Sequence, residues 1–352
     1  MTGEAPPAEG APATTSLEAI RRRLEFPGLS RGPRWLRWVL WLRWLVVPAI
    51  LAIVLWAGDW DWAGDFPADV GRDVGREIDN VIDWMTTELD VLFDVIRRVV
   101  IEVLVAIEDF LLWLPWPATI LAVTTIAWRA AGYWVAAFSA ASLTLLAAFG
   151  LWDSTMETVA LMAVTVTLSI IIAVPLGVWA SQSNRLDRIL RPILDGMQTM
   201  PSFVYLVPAI AFFSLGNVPA VIATLIYAVP PAVRLTNLGI RQLPEETLEA
   251  AESFGATPLQ LLLKVKIPLA APTIMAGVNQ TTLMALAMVV IASLVGAGGL
   301  GEDVNRGLGR IEPGNAFLAG LGIVFLAIII DRITQAFASR QQSSMGAGGG
   351  VG

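Results

Sequence analysis

The stretch RQLPEETLEAAESFGATPLQLLLKVKIPLAAP, residues 241–272, lies between two apolar runs and carries its own pattern of helix signals. Pro244 followed by Glu245 and Glu246 predicts a helix start, because proline is tolerated in the first turn and acidic side chains favour the positive end of the helix dipole. Gly255 is expected to end this helix, since glycine readily adopts the left-handed conformation that follows a helix.

A second short helix is predicted directly after this glycine. Thr257 is expected to cap it and Pro258 to occupy its first position, where a missing amide hydrogen is tolerated. Pro268 is expected to stop it. The segment is therefore predicted to form two short helices around a glycine turn, with the small residues Ala250 and Ala251 where a partner could approach closely.

The composition places this segment in a membrane protein. Hydrophobic residues make up 56% of the 352 residues and charged residues only 15%, whereas an ordinary globular domain has about 25% charged residues. The chain has no Cys and no His, which excludes disulfides, thiol catalysis and thiolate metal sites and removes the commonest metal ligand. The fold class is predicted to be an all-α, polytopic membrane helical bundle, with no catalytic or metal site.

About eight membrane spans are predicted from apolar runs of roughly 20 residues or shorter runs that contain proline. These runs are 35–57, 116–128, 134–151, 156–180, 200–215, 219–233, 273–295 and 316–330. Most Lys and Arg residues of the short loops fall on one side if both chain ends are cytoplasmic. The exceptions are Arg306, Arg310 and the four Arg of an acidic segment.

The regions outside the bundle differ from it in charge and composition. The sequence predicts a disordered basic cytoplasmic tail at 1–34, a first transmembrane helix at 35–57, an acidic extracytoplasmic segment at 58–115, a transmembrane core at 116–338 and a Gly-rich tail at 339–352. The acidic segment holds 14 Asp and Glu against four Arg, with apolar residues every three or four positions. This pattern predicts an amphipathic helix, which either packs on its own protein as a scaffold or lies on the membrane.

The stretch SLVGAGGLGED, residues 293–303, has the G-x-G-x-x-G spacing of a dinucleotide-binding turn. An apolar run of membrane length precedes it where that turn needs a strand, and the predicted topology puts it outside the cell. The dinucleotide interpretation is therefore rejected. Two interpretations remain for Gly296, Gly298, Gly299 and Gly301: a flexible turn, or an outer gate.

Two groups of residues are candidates for a path through the bundle. Asn279, Gln280 and Thr281 are polar within an apolar run, so they should face protein or water and either bond helix to helix or contact a substrate. Phe203 and Tyr205 could present aromatic faces to a cation, or simply pack.

The loop at 241–272 resembles a known family motif. Glu249-Ala250-Ala251, three residues, Gly255, nine residues and then VKIP at 265–268 is similar to the EAA loop of the membrane subunits of binding-protein-dependent ABC importers, in which the last element is I-x-L-P. The resemblance runs from about residue 116 to 330 and is closest to the glycine betaine/proline permeases. ILDGMQTMPSFVYLVPAI at 193–210 and PTIMAGVNQTTLMALAMVVIASLVGAGGLG at 272–301 also resemble that branch.

This resemblance implies a transport subunit of a prokaryotic plasma (inner) membrane, and not an enzyme. It implies four kinds of partner: a second copy of the permease, two cytoplasmic ATPase subunits, an extracytoplasmic substrate-binding protein and an osmolyte such as glycine betaine, proline or choline. ATP and Mg would bind the ATPase, with no cofactor on this chain and no nucleic acid. The residues implied to contact the ATPase are Glu249, Ala250, Ala251, Gly255, Ile267 and Pro268.

Two alternatives are a stand-alone solute or osmotic-response channel and a permease for another small amino-acid-like solute. Between residues 116 and 330 the only charged residues expected near mid-span are Arg129 and Arg234, each near a cytoplasmic end. A path without a fixed charge suits a solute that is neutral overall.

Overall fold

The computed structural model describes residues 46, 48–53, 56 and 69–346. The predictions for the tail 1–34 and for most of the first transmembrane helix lie outside these residues. The chain divides into two compact units, 1–76 and 77–352, and every functional region described below lies in the second. All regular structure in the described ranges is helical, which confirms the all-α fold class.

The long described range consists of helices joined by short turns. In chain order they are α1 (Asp69–Glu88), α2 (Asp90–Trp113), α3 (Trp116–Ala131), α4 (Tyr133–Ala148), α5 (Trp152–Gln182), α6 (Asn184–Thr199), a 3-10 turn (Ser202–Tyr205), α7 (Leu206–Phe213), α8 (Asn217–Arg241), α9 (Glu245–Ser253), α10 (Pro258–Ser293), α11 (Leu300–Gly309) and α12 (Pro313–Gly346). The last helix continues into the predicted Gly-rich tail, as far as Gly346.

Four of the described helices are long and apolar enough to cross a membrane: α5, α8, α10 and the Pro313–Ala336 part of α12. A fifth span results if α6 and Ser202–Phe213, which are bent by 107° relative to each other, count as one. Helices α3 and α4 have 16 residues each, about 24 Å of helix, which is less than the roughly 30 Å of a bilayer core. The count of eight spans stays a prediction.

Helix α8 is the centre of the bundle, and glycines bring it close to both neighbours. A Cβ atom added to Gly177 of α5 would lie 2.6 Å from the Thr236 Cβ and 2.7 Å from the Val233 carbonyl oxygen of α8. On the other side, a Cβ added to Gly239 of α8 would lie 2.8 Å from the Thr273 Cβ of α10. Real Cβ atoms do not approach this closely, so the backbones of these helices contact where no side chain fits.

Helix α2 of the acidic segment packs against this core. Its Val100 and Leu104 are buried. Its Phe93 stacks on Phe212 at 4.9 Å between ring centroids and meets Phe213 edge-on at 5.4 Å. The face of α2 that carries Phe93, Val100 and Leu104 therefore packs on the bundle, whereas Leu92, Val99 and Val103 are exposed.

The turn after α9 has the predicted local structure. Helix α9 begins directly after Pro244, and Gly255 has φ 80°. The Thr257 hydroxyl accepts a hydrogen bond from the Gln260 amide, and the Gln260 side chain accepts one from the Thr257 amide. This reciprocal pair is a capping box, which begins α10.

The prediction that Pro268 stops the second helix is wrong. Residues Leu261–Lys266 form one π-helical turn, and α-helix resumes at Ile267. Pro268 is thus the second residue of the resumed α segment, a position where the lack of an amide hydrogen is tolerated. The helix passes through the proline because the wider turn before it changes the hydrogen-bonding register.

We expect Gly177→Ala to destabilise the protein because its methyl group would meet the Val233 carbonyl oxygen. Overpacking of this kind costs about 1–3 kcal/mol, more than the roughly 0.5–1 kcal/mol gained from replacing a helical glycine. Gly196→Ala in α6 is the matched control, since nothing lies within 4 Å of its added Cβ. The measurement is the unfolding temperature in detergent, and a Gly177→Ala variant as stable as Gly196→Ala would contradict the close contact.

Candidate functional site

The loop after α8 presents an exposed surface made of α9 and the residues that follow it. Glu249, Ala250 and Gly255 are exposed, and Ala251 is half-buried. Helix α9 packs against the π-helical turn at the base of α10. Ile267, which directly follows that turn, is half-buried and packs with Ile240 of α8.

All six residues of the predicted ATPase contact therefore belong to one region. Pro268, the last of them, is exposed and directly follows Ile267 at the start of the resumed α segment. The contact itself remains a proposal.

Large apolar side chains are exposed on the same loop. The exposed fraction is 93% for Phe254, 65% for Leu259 and 54% for Leu263. We call α9 together with these three residues the loop surface. An apolar group of this size at the end of a polar helix is typical of a protein-binding surface.

Backbone hydrogen bonds hold the loop surface in one shape. The Gly255 amide donates to the Glu252 carbonyl oxygen at 2.8 Å, and the Ala256 amide donates to the Ala251 carbonyl oxygen at 3.2 Å. These bonds satisfy carbonyl groups that the end of a helix leaves free. A partner would therefore meet a preformed turn.

The two aromatic candidates for the path have different environments. Tyr205 is buried, its hydroxyl donates to the Met197 carbonyl oxygen at 2.6 Å, and its ring lies 6.4 Å from that of Tyr227. Phe203 is 59% exposed. The structure therefore assigns packing to Tyr205 and leaves only Phe203 with a free aromatic face.

The three polar candidates on α10 point in different directions. The Asn279 side-chain amide donates to Asp331 of α12 at 3.0 Å, and the Thr334 hydroxyl donates to the Asn279 oxygen at 2.5 Å. The Thr281 hydroxyl donates to the Ala228 carbonyl oxygen of α8 at 2.7 Å, while Gln280 is exposed. Asn279 and Thr281 therefore connect helix to helix.

Asp331, the carboxylate that accepts a hydrogen bond from Asn279, was not predicted from the sequence. It follows the predicted last span by one residue, but it lies inside α12 and accepts a second hydrogen bond from Gln335 at 2.7 Å. Two features of the sequence bear on it: Asp331 directly follows an apolar run, and Asn279 lies within another apolar run.

The glycine turn between α10 and α11 is closely packed. Gly296 and Gly299 have φ of 86° and 87°. A Cβ added to Gly299 would lie 2.5 Å from the Thr158 hydroxyl oxygen of α5, and one added to Gly301 would lie 2.5 Å from the Val289 carbonyl oxygen of α10. The positive φ values and these contacts explain why glycine occupies the turn.

Hydrogen bonds connect the same turn to the beginnings of two core helices. The Gly298 amide donates to the Asn217 side-chain oxygen of α8 at 3.1 Å. The Leu300 amide donates to the Thr158 hydroxyl at 2.8 Å. The turn is therefore anchored, and an outer gate at this point would require these bonds to break.

Arg306 of α11 is one of the basic residues that do not fit the predicted topology, and it forms ion pairs within its own helix. The Arg306 guanidinium pairs with Glu302 and lies 3.5 Å from Asp303. The hydrogen bond that Arg306 donates to Glu302 raises the pKa of Arg306 above its ordinary value.

No group of three or more acidic side chains that could hold a metal ion occurs within the described residues.

Comparison with known families identifies one match. The model of the family described as "Binding-protein-dependent transport system inner membrane component" matches residues 166–343. This stretch includes α8, the loop surface, α10 and the glycine turn.

Three curated proteins are similar to a large part of this chain. The glycine betaine/proline betaine transport system permease protein ProW of Escherichia coli (strain K12) is 50% identical over 67% of this chain and 67% of its own length. The glycine betaine/carnitine transport permease protein GbuB of Listeria monocytogenes is 46% identical over 70% of this chain and 90% of its length. The glycine betaine transport system permease protein OpuAB of Bacillus subtilis is 47% identical over 62% of this chain and 79% of its length.

A solved structure has a similar fold. The MetNI methionine ABC transporter in an inward-facing conformation contains a chain that is 24% identical, with a TM-score of 0.51 over 54% of this chain and 95% of that chain. This likeness concerns the arrangement of helices alone.

We expect Thr158→Val to destabilise the protein, because it leaves the buried Leu300 amide without an acceptor. An unsatisfied buried amide costs about 1–3 kcal/mol. Thr144→Val is the matched control, since the Thr144 hydroxyl is exposed and bonds only within its own helix. Thermal unfolding of both variants is the measurement, and equal unfolding temperatures would show that the turn does not depend on this hydrogen bond.

Proposed function

We infer the function of this chain from its family, because it belongs to the binding-protein-dependent transport system inner membrane components. It is a membrane-spanning permease subunit of an ATP-driven importer. Its substrates are compatible solutes of the glycine betaine class, as the names of its relatives indicate for those proteins. The observation that supports this function most directly is the match of the whole 166–343 region, loop and glycine turn included.

The loop surface is the proposed docking site for a cytoplasmic ATPase subunit. Phe254, Leu259 and Leu263 supply an apolar centre, and the acidic residues Glu245, Glu246, Glu249 and Glu252 of α9 form a polar rim beside it. Interfaces with an apolar centre and a polar rim bind specifically. ATP and Mg then bind the ATPase, and this chain supplies the contact that receives the movement.

The complete importer is proposed to contain two copies of this permease, two ATPase subunits and an extracytoplasmic substrate-binding protein. The glycine turn and α11 lie at the opposite end of α8 from the loop surface. That end is the one proposed to face the binding protein. A stand-alone channel would leave the loop surface without a partner, so copurification with an ATPase distinguishes the two functions.

The substrate is proposed to be a compact solute that is neutral overall, such as glycine betaine. Arg234, one of the two basic residues expected near mid-span, is paired with Asp195 at 2.5 Å. A basic residue that is paired in this way offers no uncompensated charge to a substrate, which suits a zwitterion that the binding protein has already selected.

We expect Phe254→Ala to weaken the binding of the ATPase subunit about tenfold or more, because a fully exposed aromatic residue is typical of an interface hot spot. Phe317→Ala is the matched control, since Phe317 is 69% exposed on α12, away from the loop surface. The measurement is the affinity of the detergent-solubilised permease for its ATPase.

Crosslinking tests the same docking independently of affinity. The chain has no native Cys, so a single Cys at Ala251 is expected to crosslink to the ATPase subunit. Failure of every position from Glu249 to Gly255 to crosslink in an actively transporting complex would refute the docking site.

We expect the complex, reconstituted with its ATPase and binding protein, to take up radiolabelled glycine betaine in the presence of ATP. Proline and choline serve as related solutes, and an unrelated amino acid serves as the control. Phe203→Ala and Tyr205→Ala should alter the discrimination among the ammonium solutes only modestly, because selection lies with the binding protein. Strong uptake of the unrelated amino acid without uptake of any ammonium solute would overturn the substrate class and leave the importer function intact.

A further inference from the structure

A cluster of polar side chains ties the cytoplasmic end of α8 to α5 and α6. Arg241, the last residue of α8, makes three hydrogen bonds through its guanidinium group. Its Nε donates to the Asn237 oxygen at 2.8 Å, its Nη1 to the Asn184 oxygen at 2.6 Å and its Nη2 to the Ala180 carbonyl oxygen at 2.9 Å. One side chain thus joins the ends of three helices.

Asp187 continues the cluster into α6. Its carboxylate is 7% exposed and accepts hydrogen bonds from the Asn237 amide at 2.7 Å and from the Arg191 guanidinium at 2.7 Å. We call Asn184, Asp187, Arg191, Asn237 and Arg241 the clasp. A second link between the same two helices, Arg234 to Asp195 at 2.5 Å, lies beside it.

The clasp borders a cavity of about 360 Å³ between α6 and α8. Apolar side chains, among them Leu190, Leu194 and Val233, line the rest of that cavity. Leu194 and Val233 also belong to a buried apolar cluster that joins α6 to α8, so apolar and polar contacts connect the two helices side by side. Among the charged groups that line the cavity, Asp187 pairs with Arg191 and Asp195 pairs with Arg234, whereas Arg241 bonds only to uncharged acceptors.

A buried carboxylate is an expensive way to join two helices. Desolvation of the charge opposes folding, and well-packed apolar side chains of similar size often stabilise a protein equally or better. What directional hydrogen bonds add is a fixed geometry between the groups that they join. The clasp therefore adds a directional constraint on the relative position of α8 and α6 to the apolar contacts between them.

The two ends of the clasp lead to different functional regions. Only three residues separate Arg241 from α9 of the loop surface. Helix α6 leads, after a bend of 107°, into the segment Ser202–Phe213 that carries Phe203 and Tyr205. The clasp thus connects the helix that precedes the loop surface with the helix that precedes this bent segment, beside the direct contact of Tyr227 of α8 with Tyr205.

We propose that the clasp transmits movement of the loop surface to α6 and the bent segment, so that Arg241 and Asp187 are positioning residues for the coupling of ATP hydrolysis to transport. This proposal rests on the proposed importer function. When the ATPase moves α9, the end of α8 moves with it, and the clasp makes α6 follow. Without the clasp, α9 and the end of α8 move while α6 stays in place.

The test measures solute transported and ATP hydrolysed in the same reconstituted complex. Arg241→Gln removes the charge and the branched set of donors. We expect it to retain binding-protein-stimulated ATP hydrolysis within about twofold and to lower the solute transported per ATP about tenfold. Asp187→Asn should have the same effect. Arg241→Lys, which keeps the charge but cannot bond three acceptors, should give an intermediate ratio.

Arg188→Gln is the matched control, because Arg188 is an exposed basic residue of α6 outside the clasp. The amount of solute that this variant transports per ATP should equal that of the wild type. Asn184→Ala removes only one of the three acceptors of Arg241. This milder variant can therefore be tested if Arg241→Gln fails to fold. We expect it to lower the ratio less than Arg241→Gln does.

Two results would overturn the proposal. A parallel loss of ATP hydrolysis and transport in an intact Asn184→Ala or Arg241→Gln complex would indicate a structural role alone. An unchanged amount of solute transported per ATP in the Arg241→Gln complex would show that the clasp transmits no movement. A wild-type complex that binds no ATPase contradicts the proposed function itself, which separates that failure from failure of the clasp.

Discussion

Helix α8 lies so close to α5 and α10 that side chains larger than glycine do not fit at several contact points. Gly177 and Gly277 of the neighbours face α8, and Gly239 of α8 faces α10. Contact between backbones at this distance fixes the axial position of the three helices, because a shift of either neighbour would bring a side chain into the gap. The rest of the second compact unit takes its position from this contact.

Both functional regions lie at the ends of this central helix. At its start, Asn217 holds the glycine turn through the Gly298 amide. At its end, Arg241 holds α5 and α6, and the loop surface follows. The close packing in the middle of α8 prevents the helices from sliding along one another. The hydrogen bonds at the two ends of α8, in contrast, can be broken and re-formed.

The sequence predicted local structure well and distant pairs poorly. The start of α9 after Pro244, the turn at Gly255 and the cap at Thr257 followed from the preferences of single residues. The continuation of helix α10 through Pro268 did not follow from such preferences, because it depends on a π-helical turn that no single residue specifies. The partners of Asp187 and Asp331 on other helices are about 50 positions away in the chain, a distance at which a single sequence carries no pairing signal.

The glycines of the turn illustrate how one spacing serves two different purposes. In a dinucleotide fold the same G-x-G-x-x-G lets the backbone approach a pyrophosphate. Here Gly298 and Gly301 let it approach Glu157 and Val289 of neighbouring helices instead. The physical requirement, a backbone without Cβ atoms, is common to both, and only the preceding apolar run distinguishes them in the sequence. A glycine motif therefore indicates that the backbone closely approaches another group, and the surrounding secondary-structure elements determine which group that is.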